Sequence, residues 1–338
     1  MRIQSIYPNL YQVRTQCNSL PQQNSDSPKL HILSADTVSF GIGEKKLSKT
    51  ARTISVDLAK KVVSEAEEDA KEIRFVLNKY LKPFVASQKN PNAPICPGER
   101  GISVRIKTED SLRQKVTPRG IKTKWGVKNV GDVIGARIVL RDGSQHAVDK
   151  ILFAIADAIK QGALRITEIE KFNPKQGRIA VKDIGELGYG SIKGRKALEE
   201  ASGIISRVGP QPSGYPAIHI TIKTKNGYKA EIQIMDVDVE DLKHVEDLGY
   251  KIRCGKGVCE KYKKIEKDIL PAFEELEEKG LEDAYLDYVS DSYLTAFSTP
   301  AQKFNAKRKT KFLQIPYYLP QKLDFNYIAQ KMQEQTTK

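Results

Sequence analysis

GYPAIHITIKTKNGYKAEIQIM, residues 214–235, alternates in two runs. Ile218, Ile220 and Ile222, then Ala230, Ile232 and Ile234, hold one parity; His219, Thr221, Lys223, Glu231 and Gln233 hold the other. Successive side chains of a strand point to opposite faces, so the stretch predicts a hairpin with one apolar and one polar face. The turn allows two registers. A two-residue Asn226-Gly227 turn pairs Lys225 with Tyr228 and mixes polar and apolar residues on both faces, which a half-buried sheet resists. A three-residue Lys225-Asn226-Gly227 loop, with Gly227 left-handed, keeps the faces apart. This second register predicts Thr221 opposite Glu231, His219 opposite Gln233 and Ile220 opposite Ile232.

The polar face is unusual in composition. Lys, Ser and Thr are the ordinary residues of a wet strand face, whereas this one gathers a histidine, a glutamate and a glutamine. Glu231 lies between apolar neighbours, which marks its strand as central. A carboxylate on a central strand needs a cation, often a metal, or a pocket.

Two stretches upstream add charge of the complementary kind. VRIKTEDSLRQK (104–115) reads as a strand leading into a helix, with Arg105, Lys107 and Ser111 in R-x-K-x3-S spacing. Two cations on one strand parity, followed by a serine near a helix N-terminus, suit a polyphosphate. Alternating basic residues on a strand also make an ordinary solvated face. GDVIGARIVLRD (131–142) sets Asp132 just before an apolar strand and Arg137 inside it. Mg2+ takes one or two carboxylates together with substrate phosphates, and Asp132 and Glu231 supply that pair if their strands are neighbours.

Outward from these motifs the chain has four parts. Residues 1–54, rich in Ser, Gln and Asn, read as a mostly disordered leader. Residues 55–255 form the central unit. It opens with a helix whose apolar residues recur at helical spacing from Leu58 to Leu81 and which ends before Pro83. Strands over 102–107, 134–142 and 164–172 then alternate with helices over 144–162 and 193–205, ahead of the hairpin. The expectation is a mixed α/β sheet flanked by helices. Residues 256–298 read as a helical extension, broken near Pro271 and Gly280. Residues 299–338 form a basic tail: from 303 onward it holds eight Lys/Arg against two acids, with Phe304, Phe312, Tyr317, Tyr318, Phe325 and Tyr327 interleaved.

Composition removes several classes of function. No apolar run approaches the roughly 18 residues that cross a bilayer, and the start lacks an uninterrupted apolar signal segment. A soluble, cytoplasmic protein without membrane contact is expected. Cys17, Cys96, Cys254 and Cys259 form no C-x-x-C pair, which argues for reduced thiols and against zinc. The net charge of +14 implies an anionic partner such as a nucleotide or nucleic acid.

Together these stretches resemble the synthetase domain of the RelA/SpoT family. The matching pieces are Arg105, Lys107 and Ser111; D-x-I-x-x-R from Asp132 to Arg137; G-Y-x-x-I-H from Gly214 to His219; and E-I-Q-I from Glu231 to Ile234. DLKHVEDLGYKIRCGKG (241–257) looks like the acidic, Tyr-containing run that closes the domain in many members. The resemblance covers roughly 70–255. It implies a nucleotidyltransferase-like mixed sheet and a Mg2+-dependent pyrophosphokinase that moves the β,γ-pyrophosphate of ATP to the 3′-hydroxyl of GDP or GTP, making the alarmone (p)ppGpp. Arg105 and Arg137 would then bracket adenine, and Lys107 and Ser111 would hold the ATP phosphates. Asp132 and Glu231 would bind Mg2+, with Glu231 also taking the hydroxyl proton. Tyr215 would stack on the acceptor base, with His219 and Gln233 lining its pocket.

The chain departs from the family pattern on the acceptor side. Gln211 stands where many members carry a phosphate-binding Lys, and Met235 stands where many carry an Arg. His31, His146, His219 and His244 are the only histidines and none begins an H-D pair, so the metal-dependent hydrolase half is not expected. Two alternatives follow. One keeps the donor chemistry and pyrophosphorylates the 3′ end of tRNA, held by the basic aromatic tail; the other is an inactive relative that binds nucleotide or RNA. Relatives of this kind often assemble as homo-oligomers.

Overall fold

The computed structural model describes residues 56–116, 123–141, 143–176, 179–180, 192–255, 257–297 and 312–336. The leader expected over 1–54, Phe304 and the basic residues Lys307, Arg308, Lys309 and Lys311 lie outside them.

The opening hairpin forms in the second register. β7 (Ala217–Lys223) and β8 (Lys229–Asp236) pair antiparallel with Thr221 opposite Glu231, His219 opposite Gln233 and Ile220 opposite Ile232. Gly227 closes the loop at φ +83°, a left-handed conformation that glycine adopts without Cβ strain. Four further strands complete a six-stranded mixed sheet: β1 (Ile102–Ile106), β2 (Ile134–Leu140), β3 (Ile166–Asn173) and β6 (Arg207–Pro210), in the order β1-β2-β8-β7-β3-β6. The β2–β8 and β3–β6 pairs are parallel and the others antiparallel. β4 (Lys175–Gln176) and β5 (Ile179–Ala180) make a separate two-stranded ribbon.

The isoleucine parity of β2, β7 and β8 is fully buried and joins the apolar sides of α1 (Val56–Leu81) and α5 (Gln145–Lys160) in one core. Short helices connect the strands: α2 (Gly98–Gly101), α3 (Glu109–Val116), α4 (Lys124–Lys128) and α6 (Ile192–Ser202). Side-chain caps start several helices. Thr108 Oγ1 accepts from Ser111 N at 3.2 Å, and Ser144 Oγ from Ala147 N at 3.3 Å. Each such cap contributes about 1 kcal/mol.

β8 runs straight into α7 (Val237–Arg253), capped by the buried Asp236, whose carboxylate accepts from Val239 N at 2.9 Å. α8 (Lys263–Glu278) and α9 (Glu282–Phe297) follow. The expected break at Gly280 occurs, with φ +63°, but α8 continues through Pro271. Pro271 and Lys267, whose carbonyl loses its donor, both face solvent, so water meets the freed group. The described part of the expected basic tail also differs from an extended chain. Phe312, Ile315, Leu319, Leu323, Phe325 and Ile328 are buried, and α10 (Phe325–Thr336) packs near α7 and α8. Tyr288 fixes the segment, its hydroxyl donating to Leu313 O at 3.1 Å and accepting from Phe325 N at 2.9 Å. Of the described aromatic residues there, Phe312 and Phe325 serve as core and Tyr327 is half-buried, while Tyr317 and Tyr318 remain exposed. Among the described residues no helix is long and apolar enough to cross a membrane.

Candidate active site

Paired residues in adjacent strands share a face, so the register builds the polar surface row by row. Ser103, Arg137, Gln233, His219, Glu170 and Arg207 form one row across all six strands. Arg105, Gly135, Glu231, Thr221 and Glu168 form the next. Five segments of the sequence (β1, β2, β3, β6 and the β7–β8 hairpin) thereby place their charged residues on one side of the sheet.

Asp132 stands just ahead of β2, and Glu231 lies on the neighbouring strand opposite Gly135. Asp132 is gripped by two ammonium groups: Lys107 Nζ lies 2.8 Å from Oδ2 and Lys115 Nζ lies 2.6 Å from Oδ1. Burial opposes ionisation of Asp132, but Lys107 and Lys115 outweigh it and hold the carboxyl below its ordinary value. Glu231 accepts from Gln233 Nε2 at 2.5 Å and lies 3.1 Å from His219 Nδ1. Burial again opposes its charge; His219, then Gln233 and more distantly Lys115, bring the carboxyl down to about 2. Lys115 therefore acts on both carboxylates. The sequence carried one signal for it, since it follows Ser111 by four residues and so shares its helix face.

The two arginines flank Gly135. Arg105 is Gly135's partner across β1–β2, and its side chain passes close enough that a Cβ on Gly135 would stand 3.6 Å from Nε. Arg137 is anchored from the other side by α7, donating to Glu240 at 3.3 Å and lying 3.3 Å from His244 Nε2. Ser111 is exposed in the first turn of α3, its hydroxyl 2.9 Å from that of Thr108.

Tyr215 is placed differently from the other residues that the sequence singles out. It is 2% exposed. Lys243 Nζ lies 5.1 Å from its ring centroid, and the rings of Tyr293 and His219 stand at 5.6 and 5.7 Å. Lys243 is in turn held by Glu246 at 2.9 Å and Asp247 at 3.0 Å. Lys243 thus lies over the Tyr215 ring and the two aromatic neighbours crowd it, so a base could stack there only after these groups moved. Nothing in the local sequence announces Lys243, because its meeting with Tyr215 depends on how α7 packs.

Among the described residues no three His, Cys, Asp or Glu side chains gather as a metal cage. Asp132, just ahead of β2, and Glu231, on the adjacent β8, are nevertheless carboxylates of the kind that Mg2+ takes together with water and substrate phosphate. Lys107 and Lys115 now neutralise one of the two acids and are suited to turn to phosphate when a metal takes their place.

No protein-family profile and no curated protein matches the chain. Among solved structures it is similar to a GTP pyrophosphokinase family protein from Streptococcus pneumoniae, at 19% identity and a TM-score of 0.33 over 70% of this chain and 94% of that one. The small alarmone synthetase 1 from Bacillus subtilis bound to its product pppGpp is similar at 15% identity and a TM-score of 0.32, over 66% and 91% of the two chains. The small alarmone synthetase 2 from Bacillus subtilis is similar at 16% and 0.31, over 67% and 97%.

Proposed function

We propose that this protein transfers the β,γ-pyrophosphate of ATP to the 3′-hydroxyl of a guanine nucleotide. The observation that supports the reading is Asp132 just ahead of β2 and Glu231 on the neighbouring β8, with Lys115 paired to the first acid and lowering the carboxyl of both. Phosphoryl-type transfer asks little covalent chemistry of a protein; it needs alignment and charge neutralisation, which this set of groups supplies.

Arg105 and Arg137 flank the small floor of Gly135, an arrangement suited to a planar base, because guanidinium groups stack on π faces. Lys107 and Lys115, which pair with Asp132, and Ser111 at the start of α3 take the triphosphate. Asp132 and Glu231 would hold Mg2+, which when bound would supply charge neutralisation and a more acidic acceptor hydroxyl. Glu231 takes the proton as the 3′-oxygen bonds to the β-phosphorus. The bond from that phosphorus to the α,β-bridging oxygen breaks, and AMP leaves with the electron pair. His219 and Gln233 orient the Glu231 carboxylate and border the acceptor.

The deciding experiment supplies purified protein with ATP labelled in the γ-phosphate, Mg2+, and GDP, GTP, ADP or bulk tRNA, with Glu231→Gln as control. Label in GDP or GTP products that is lost in the variant is the expected result. Label confined to tRNA replaces the acceptor while keeping the donor chemistry, and no transfer to any acceptor leaves a nucleotide-binding protein.

A further inference from the structure

The C-terminal segment that packs against α8 leaves a concave pocket of about 450 Å³, within the size range of ligand sites. Its walls include Pro271, Glu275 and Lys279 of α8, and Tyr317, Tyr318 and Pro320 of the segment. None of these residues belongs to the candidate active site.

A short turn builds the open wall. IPYYLP (315–320) buries Ile315 and Leu319 and closes with a hydrogen bond from Leu319 N to Pro316 O at 2.9 Å. The two residues within the turn face outward, Tyr317 at 93% exposure and Tyr318 at 48%. Their rings stand at 86° with centroids 5.6 Å apart, an aromatic corner open to solvent. Pro316 and Pro320 fix φ on either side and hold the corner in shape. Apolar surface kept in water forgoes about 25 cal/mol per Å² of burial. A corner already rigid loses little entropy when a ligand covers it.

The polar groups define what fits. The hydroxyls of Tyr317 and Tyr318 and the side-chain amide of Gln321, which also lines the pocket, have no hydrogen-bond partner among the described residues. They are donors available to carbonyl oxygens. Both lysines of the pocket are neutralised, Lys279 by Glu275 at 2.5 Å and Lys322 by Asp268 at 2.6 Å. Glu274 and Glu278, three and seven residues after Pro271 and so on its helix face, are exposed and form no ion pair among the described residues. The rim is acidic on a chain whose net charge is +14, which disfavours a phosphate-bearing ligand and favours a cation. A polyproline II segment meets all of these conditions. Its proline rings pack on aromatic faces, and its carbonyls are free because that helix has no internal hydrogen bonds.

We propose that this pocket docks a proline-containing segment of a partner protein, bound as a polyproline II helix with a Lys or Arg beside the prolines set against Glu274 and Glu278. The inference is independent of the pyrophosphokinase reading.

The test selects a phage-displayed library of random twelve-residue peptides against the full chain, then measures fluorescein-labelled copies of the enriched sequences by anisotropy. Enrichment of sequences with two or more prolines and an adjacent Lys or Arg is expected. Tyr317→Ala is expected to weaken their binding at least about tenfold, as for an aromatic anchor buried on binding. The pair Glu274→Lys and Glu278→Lys is expected to weaken it by a factor that grows as salt is lowered, because screening fades. All three positions are exposed, so melting curves are expected to match wild type. Should Tyr317→Ala melt early, Tyr318→Ala and the charge-reversed pair carry the decision. Absence of enrichment, enriched sequences without proline, or binding unchanged in both tyrosine variants overturns the site. Two other occupants have their own signatures, and either one in place of peptide binding also overturns it. Tyr317-dependent binding of a fluorescein-labelled ten-nucleotide oligouridylate marks a base-stacking surface, and a wild-type dimer in sedimentation velocity that Tyr317→Ala dissolves marks a second copy of this chain.

Discussion

Lys115 Nζ lies 2.6 Å from Asp132 Oδ1, so the acid proposed to hold a metal is paired with an ammonium proposed to hold a phosphate. Lys107 repeats the relationship at the other carboxylate oxygen, 2.8 Å away. The site is pre-charged in a balanced form that substrate and metal would rearrange together. Asp132→Asn releases both lysines. ATP binding in the presence of a chelator is therefore expected to be as tight as in wild type or tighter, while the gain on adding Mg2+ disappears and transfer falls to background. Titration of a fluorescent ATP analogue with and without Mg2+ measures this. Loss of Mg2+-free binding would show that Asp132 organises the pocket instead of neutralising it.

In the proposed reaction Glu231 takes the proton, and removal of a general base costs about 10²- to 10⁴-fold in rate. Glu231→Gln is expected to lose at least that much in kcat with little change in the KM for ATP. The pH dependence of stability has a definite sign. The Glu231 carboxyl is depressed from 4.5 to about 2 in the folded protein, so its ionised form stabilises the fold above pH 4.5 and that contribution is lost as pH falls toward 2. Denaturation midpoints of wild type and Glu231→Gln should accordingly converge between pH 5 and pH 2, and diverge in the reverse direction. A gap that is constant with pH is the contrary result.

Gly214 adopts φ +74°, and a Cβ there would lie 2.5 Å from Ser290 Oγ and 3.2 Å from Ser290 Cα. The turn before β7 is thus seated on α9, which ties the C-terminal helices to the candidate site. Gly214→Ala meets a left-handed backbone cost of about 1–2 kcal/mol as well as the clash. It is expected to lower stability by at least that amount in chemical denaturation. Ser290→Gly in the same chain removes the nearest atom and should restore the part due to the clash, giving a measurable interaction energy in the double-mutant cycle. Strict additivity of the two changes would refute the seating.

Cys96 is buried beside the sheet, where desolvation pushes its thiol up to about 11, whereas Cys259 is exposed. The thiolate is the reactive form, so alkylation at pH 8 is expected to modify Cys259 within minutes and to reach Cys96 only on the timescale of unfolding. Peptide mass mapping over time reads the order directly.

Much of this molecule is written locally. The alternation of isoleucine with polar residues from Ile218 to Ile234, and a glycine where the loop needs positive φ, determine the hairpin, its register and the residues on its polar face. They do so because a period of two leaves one solution that buries the apolar side. The helical spacing from Ala59 to Leu81 likewise determines α1 and its buried stripe. What periodicity does not contain is which elements become neighbours. The parallel β2–β8 pair, which sets the strand that follows Asp132 beside the strand of Glu231, joins segments about a hundred residues apart, and only the closed core selects it. The same holds for the groups that surround Tyr215. Its ring looks available in sequence and is covered in the fold, because α7 and α9 bring Lys243 and Tyr293 against it. The tail is a third case: charge dominates its sequence, yet Phe312 and Phe325 are drawn inward because burying two aromatic rings outweighs the preference of the intervening polar residues for water. Local pattern decides which face a side chain takes; long-range packing decides what meets it there.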